Sequence, residues 1–391
     1  MTRLRKVLIL RLAAALAWLV DRLAGLGTGS LRVSPDVLVV RLDAIGDFLL
    51  WSDAACRLAD HYHAEGRRVL LLANASWAEL AETLGVFDSV WPLDRRRFLF
   101  DPRYRFVMIR RLRQAGFALA IQPTFSRELL FGDAIMRIAS RRTRIGYAGD
   151  LSNMTDAERR RADGWYSHLV PAADEPQMEL ERNAAFLIGL GISAEPRIGR
   201  LPVAAPRPLG HVDDDYFVLF PGASWDAKCW PPDFFAALAE RITAATGWHA
   251  VLAGASSDRA QAAAVVAAAN APLVNQVGAT NLNEFARLLA GARLVISNDT
   301  SAVHLAAVVG TPSVCILGGG HFGRFLPYAV VDEDLPRAPY AVYQPMDCYG
   351  CNWACRYPRD PGTPFACIKT IGVEQVWTVV RSLLPTPHDP A

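Results

Sequence analysis

From Asp36 the chain reads VLVVRL, an apolar, β-branched run of strand length, followed by the turn DAIGD (43–47) and then by apolar positions at helical spacing through Leu58. The same succession recurs. RRVLLLAN (67–74) precedes a helix from Ser76, and FALAIQP (117–123) precedes a helix over 126–138. After an aperiodic stretch (193–215) the rhythm restarts with YFVLFPG (216–222), a helix over 231–246, WHAVLAG (248–254) and a helix over 257–270. A helix over 281–290, the strand LVISND (294–299) and a helix from Thr300 complete it. Strands alternating with helices predict an α/β protein built on doubly wound parallel sheets. The aperiodic stretch holds Pro196, Pro202, Pro206, Pro208 and three consecutive aspartates, the signature of a connection. The predicted organisation is an N-terminal segment (1–30), a first domain (31–200), a linker (201–215) and a second domain (216–391).

Composition fits this division. With 391 residues, 52% hydrophobic and 20% charged, the chain has material for two ordinary cores. Forty-one basic against 39 acidic residues give +2, which predicts no nucleic-acid partner and leaves any electrostatic recognition to local patches. Seven cysteines, of which Cys56, Cys229 and Cys315 are scattered, do not make a secreted disulfide framework, so a reducing cytoplasm is expected. The apolar VLILRLAAALAWLV near the N-terminus is interrupted by Arg11 and followed by Asp21 and Arg22, too short a run for a comfortable span. With Arg3, Arg5 and Lys6 it reads as an amphipathic helix lying on the cytoplasmic face of an anionic membrane. A helix packed on the protein itself fits the pattern about as well.

In open parallel sheets ligands bind beyond the carboxyl ends of the strands, so three turns are the candidates for chemistry. In the first, Gly46 permits a sharp turn, and Asp43 and Asp47 flank it. Asp47 at a helix start is either an N-cap or a base that takes a proton from a hydroxyl nucleophile, and the base reading is preferred. The second, PGASWDAK, offers backbone N–H groups at Gly222, Ala223 and Ser224 with Lys228 beside them, a set suited to a diphosphate. The third supplies Asp299, Thr300 and Ser301 at another helix start, with His304 one turn on. Two helix N-termini and a lysine at one place would stabilise a departing nucleotide diphosphate without a metal. The chain has no GxGxxG, GxxxxGK[ST] or GxSxG, which argues against dinucleotide oxidoreductases, P-loop kinases and α/β-hydrolases.

At these residues the chain resembles glycosyltransferase family 9, the lipopolysaccharide heptosyltransferases and their relatives. The resemblance lies in RLDAIGDFLL (41–50), RRTRIGYAG (141–149), PGASWDAKCWPPDFFAALAERI (221–242) and NDTSAVHLAAVVGTPSVCILG (298–318), in that order. It implies a GT-B fold, two Rossmann-like domains facing each other across a cleft, and an inverting transfer that requires no metal or other cofactor. By position, Asp47 matches the family's catalytic base, Lys228 its diphosphate-binding lysine and Asp299 the acidic residue at the cleft helix. Ser224 sits where the family contacts phosphate, and Asp258 where some members hold the ribose. ADP-heptose is the expected donor, and a lipid-linked or polysaccharide cell-envelope glycan the expected acceptor. The chain departs from the familiar pattern at GGGHFGRFLPY (318–328), where the glycines, Gly319 among them, would let backbone approach a ligand. The competing expectations are an epimerase or hydrolase of similar fold and a catalytically silent nucleotide-sugar-binding protein.

Two further features stand apart. Cys348, Cys351, Cys355 and Cys367 have the spacing of a tetrathiolate metal site, although a structural thiol cluster or disulfide is preferred. The segment 94–114 interleaves arginines, Arg95, Arg96, Arg97, Arg110 and Arg111 among them, with aromatic residues. It is expected to meet acceptor phosphates or a membrane surface.

Overall fold

The structure, a computed structural model, describes residues 3–26, 33–204 and 215–385, with the side chains of 3–11 and 141 excepted. The chain divides into two compact units, one of 1–48, 54–175 and 182–194, the other of 49–53, 176–181 and 195–391. The first unit thus ends six residues before the expected boundary at 200, and 205–214 of the expected linker lie outside the described residues.

The first unit carries β1 (Ser34–Arg41), β2 (Val69–Asn74), β3 (Ser89–Leu93), β4 (Phe117–Gln122), β5 (Ser140–Tyr147) and β6 (His168–Val170). They form one parallel sheet in the order β3-β2-β1-β4-β5-β6. Val37, Leu38, Val39 and Val40 are all 0–1% exposed, as a strand covered on both faces requires. The second unit repeats the plan with β7 (Tyr216–Phe220), β8 (His249–Leu252), β9 (Val274–Asn275), β10 (Leu294–Asn298), β11 (Ser313–Ile316) and β12 (Tyr340–Val342). Its parallel order is β12-β11-β10-β7-β8-β9. In each sheet the winding reverses direction once, between β1 and β4 and between β7 and β10, and such reversals open a crevice at the strands' carboxyl ends. The three turns singled out by sequence follow β1, β7 and β10.

The N-terminal helix (Arg3–Ala24) packs one face on the first unit, the arrangement expected of a helix held on the protein itself. Ala17, Val20 and Ala24 are buried, and Asp21 bonds Nε and Nη2 of Arg105 at 2.6 and 2.9 Å, and Arg137 at 2.9 Å. Arg105 lies on the helix Pro102–Ala115, so part of the basic segment serves the interior. The opposite face stays apolar and exposed: Leu12, Leu16, Leu19 and Leu23 recur at helical spacing. Among the described residues no helix is long and apolar enough to cross a membrane.

Candidate functional site

β1 ends at Arg41, whose guanidinium is fully buried and cannot stay so without partners. It reaches the Asp43 carboxylate at 2.8 Å, the Asp47 carbonyl at 3.2 Å and the Asn183 side chain at 3.4 Å. Asn74 and Trp77 donate to the Asp43 carbonyl at 3.0 and 2.9 Å. Arg95 donates to the Leu42 carbonyl at 2.7 Å and to Glu128 at 2.8 Å. Arg95 therefore pins this turn from within, contrary to its expected place in an outward patch. Arg97 pairs with Asp101 and stacks over Tyr104, and Arg110 lies over Phe106 and Arg111 over Trp91. Arg96, Arg97 and Arg111 remain exposed.

The helix Ile45–Ala64 starts with extended backbone at Ala44, and Gly46 lies inside its first turn. Gly46 is not among the glycines with positive φ, so the sharp turn expected there is made earlier and without left-handed backbone. Asp47, half-buried at the third helical position, accepts the Ala44 N–H at 3.2 Å. The cap and the proton acceptor proposed for it are thus the same carboxylate, presented at the carboxyl end of β1.

In the second unit Asn298, fully buried at the end of β10, joins two of the turns; the sequence reading set it at the start of the third turn without a role of its own. It donates to the carbonyls of Pro221 and Gly222 at 2.8 and 3.1 Å and accepts the Trp230 N–H at 2.9 Å. The signal was its place directly before Asp299. Ser224 is exposed at the tip of the turn, Ala223 is half-buried and Gly222 buried. A Cβ on Gly222 would stand 2.4 Å from the Asp258 carboxyl carbon, and one on Gly254 2.9 Å from its oxygen. Asp258 itself is 9% exposed and accepts the Ala255 N–H at 2.8 Å, so its carboxylate braces the two loops rather than pointing outward. The Thr300 hydroxyl caps its own helix (Ser301–Val309) at Ala302 N–H. His304 is packing: buried, stacked on Tyr328 and bonded to its hydroxyl at 2.7 Å, with its pKa pushed down by burial to about 4.

Lys228, in the short turn Asp226–Lys228, and Asp299 share one electrostatic neighbourhood. Burial lowers the lysine's pKa against the pull of Asp299, and burial lifts Asp299 to about 6 against the pull of Lys228. A carboxyl whose folded pKa lies above its unfolded 3.8 costs no stability below about pH 4; the cost builds as the pH rises from there to about 6 and is full above it. Asp299→Asn should therefore stabilise the fold by about 1–3 kcal/mol at pH 7.5, a gain that disappears below pH 4. Urea unfolding at both pH values checks this, and equal stability at pH 7.5 would refute it.

The triple glycine has a different use from the one expected. A Cβ on Gly319 would come within 2.2 Å of the Tyr349 ring, and one on Gly320 within 2.2 Å of Trp353, so aromatic side chains occupy the space a ligand would need. Both rings come from the cysteine-rich segment. Cys348, Cys351, Cys355 and Cys367 are free thiols, with burial, then the three other thiols, raising the pKa of Cys367 against a bond from Gly319 N–H. Among the described residues no group of three or more His, Cys, Asp or Glu is arranged to hold a metal ion, so these four do not fit one as they stand.

A family model described as glycosyltransferase family 9 (heptosyltransferase) matches residues 105–335. Lipopolysaccharide heptosyltransferase 1 of Pseudomonas aeruginosa is 31% identical over 144 residues, 34% of this chain and 39% of that protein. The matched stretches span 39% or less of the curated relatives' own lengths. E. coli heptosyltransferase WaaC, solved with ADP-2-deoxy-2-fluoro heptose, superposes with a TM-score of 0.60 at 19% identity, over 89% of this chain and 100% of that one. The iron-containing dodecameric glycosyltransferase TibC of enterotoxigenic E. coli gives a TM-score of 0.53 at 16% identity, over 90% and 79%. These likenesses establish the GT-B fold.

Proposed function

Because the chain belongs to glycosyltransferase family 9, we propose that it transfers a heptose from ADP-heptose to a hydroxyl of a lipopolysaccharide or related cell-envelope glycan. The observation that carries this reading is the joint placement of Lys228, Asp299 and the start of the helix Ser301–Val309 at the carboxyl ends of β7 and β10. An ammonium and helical N–H groups there suit a diphosphate both bound and departing.

The proposed reaction is a single inverting displacement. Asp47 takes the acceptor proton as the hydroxyl oxygen bonds to the anomeric carbon, and the bond from that carbon to the diphosphate oxygen breaks with its electrons. The charge that develops on the diphosphate is met by Lys228 and backbone N–H groups, so the step is proposed to need no metal. Gly222, Ala223 and Ser224 line the same turn, and Asp258 supports it from below, a role in place of the ribose contact expected for it.

We place the reaction at the cytoplasmic face of the inner membrane. The Leu12, Leu16, Leu19 and Leu23 face is apolar and exposed, and Arg22, stacked 4.1 Å over Trp18, adds positive charge suited to anionic headgroups. The test is transfer of labelled heptose to a lipid-linked acceptor in anionic vesicles. Label should enter the acceptor only when ADP-heptose is supplied. Leu16→Ser/Leu23→Ser should slow transfer in vesicles about tenfold or more while sparing a soluble acceptor fragment. Donor breakdown without acceptor labelling would point to a hydrolase, and no donor turnover to a silent binding protein.

A further inference from the structure

Lys228 is one of only three lysines in the chain, with Lys6 and Lys369. Its Nζ lies 4.1 Å from the ring centroid of Trp353 and 5.0 Å from that of Trp225. Trp225 is its neighbour in the turn, but Trp353 comes from the cysteine-rich segment (CYGCNWAC), which the proposed reaction leaves without a task. We infer that Trp353 is a positioning residue for Lys228: the indole face holds the ammonium in one place, where the proposed function sets the donor diphosphate. The inference rests on that reading of Lys228 only for its consequence in donor binding.

Lysine is a compact charge on a flexible four-carbon stem, so it samples many positions unless something fixes it. The face of an indole attracts a cation, most strongly when solvent is partly excluded, and burial at Lys228 shows such exclusion. A ring can fix a cation only if the ring itself is fixed, and three independent features fix Trp353. Its side chain fills the space above Gly318 and Gly320, where a Cβ would stand 2.8 and 2.2 Å from ring atoms. Its indole N–H donates to Nδ1 of His321 at 3.3 Å, while His321 Nε2 meets the Asn352 side-chain oxygen at 2.7 Å. Both bonds are satisfied by one neutral tautomer, and burial together with the charges of Lys228 and Arg324 holds the imidazole toward that neutral form.

The third feature is the backbone. Asn352 and Trp353 have φ of 49° and 61°, and among the described residues they are the only non-glycine residues with positive φ. Bulky residues adopt that region only when their surroundings enforce it. Here Gly350 and Asn352 donate their N–H groups to the carbonyls of Gly319 and Gly320 at 2.8 and 2.9 Å, and Gly319 N–H bonds Cys367. The GGG run is thus a socket whose missing side chains admit the rings and whose backbone groups anchor the segment. One arrangement thus gives a use both to the glycines at 318–320 and to Tyr349 and Trp353 of the cysteine-rich segment.

The test is NMR of protein labelled with [13C]lysine, with Lys228→Arg assigning the signal. A methylene beside an aromatic face is shifted upfield, so the Lys228 ε-CH2 protons should resonate clearly upfield of those of Lys6 and Lys369. Trp353→Leu should collapse that offset and raise the donor KM about tenfold with a smaller change in kcat, and Trp353→Phe should restore most of both. Wild-type Lys228 resonating with the other two lysines, or an offset that survives Trp353→Leu, overturns the inference. Should Trp353→Leu fail to fold, Trp225→Leu decides: an offset that survives it belongs to Trp353, and one that vanishes overturns the inference. A collapsed offset with unchanged donor KM upholds the positioning and sinks the assignment of Lys228 to the donor.

Discussion

Asp47→Asn is expected to lower kcat by a factor of about 10²–10⁴ while leaving donor affinity and thermal stability close to those of the parent. The substitution separates the two uses of one side chain. The carboxamide oxygen can still accept the Ala44 N–H that Asp47 accepts at 3.2 Å, so the helix start keeps its cap. What the amide cannot do is take a proton from an attacking hydroxyl. Each tenfold loss in rate corresponds to about 1.36 kcal/mol of barrier, so the expected loss is about 3–5 kcal/mol in the transition state. A lost cap would instead cost about 1 kcal/mol of stability and nothing in kcat. Initial rates at saturating donor and acceptor, set beside melting curves, distinguish these outcomes. A variant with parental kcat would reduce Asp47 to a capping residue. Asp47→Ala is the poorer experiment, since it removes cap and base together.

The strands that carry the site were legible because their physics is local. β1, β7 and β10 are buried on both faces, and a continuous apolar run ending in a polar turn is what such a strand must look like. β5 escaped the periodicity for the opposite reason: SRRTRIGY opens with three arginines in five residues, shows no apolar run, and is recognisable only from its pairing with β4 and β6. The predicted helix over 126–138 is instead a π-turn (Leu129–Asp133) followed by a short α-helix (Ala134–Ala139). Its register answers to the buried Asp133, which meets Arg127 and Tyr166, partners 6 and 33 residues distant in sequence. Site residues followed the same division. Lys228 and Asp299 advertise themselves by standing in polar turns that lead from a strand into a helix, whereas Arg95 and Gly319 take their roles from residues far along the chain. Arg95 reads as one arginine among many until the Leu42 carbonyl and Glu128 close around it. Gly319 reads as an opening for a ligand until Tyr349 fills it. Long-range partners, invisible to spacing rules, decide such cases.

Asp21→Ala carries the largest stability loss expected in the first unit, about 3–5 kcal/mol. Asp21 and Arg105 are each 2% exposed in their side chains, so neither charge has water to fall back on. With the carboxylate gone, the partners left to Arg105 among the described residues are the carbonyls of Phe98 and Leu130 at 3.3 Å and the face of Phe98, all neutral. Arg137 loses its 2.9 Å bond at the same time, leaving two guanidiniums facing a methyl group. An intact buried pair need not stabilise a fold relative to an apolar one, but half of a pair is always costly. Asp21→Asn should lose less, because the amide oxygen still accepts one of the three bonds. The double change Asp21→Leu/Arg105→Met should recover most of the loss by removing both charges. Urea unfolding of the three variants, with proteolysis of the N-terminal helix as the local readout, tests the account. Parental stability in Asp21→Ala would mean that the N-terminal helix does not depend on this pair to stay docked. The exposed leucines on its far side would then lack the rigid platform from which a membrane face is presented.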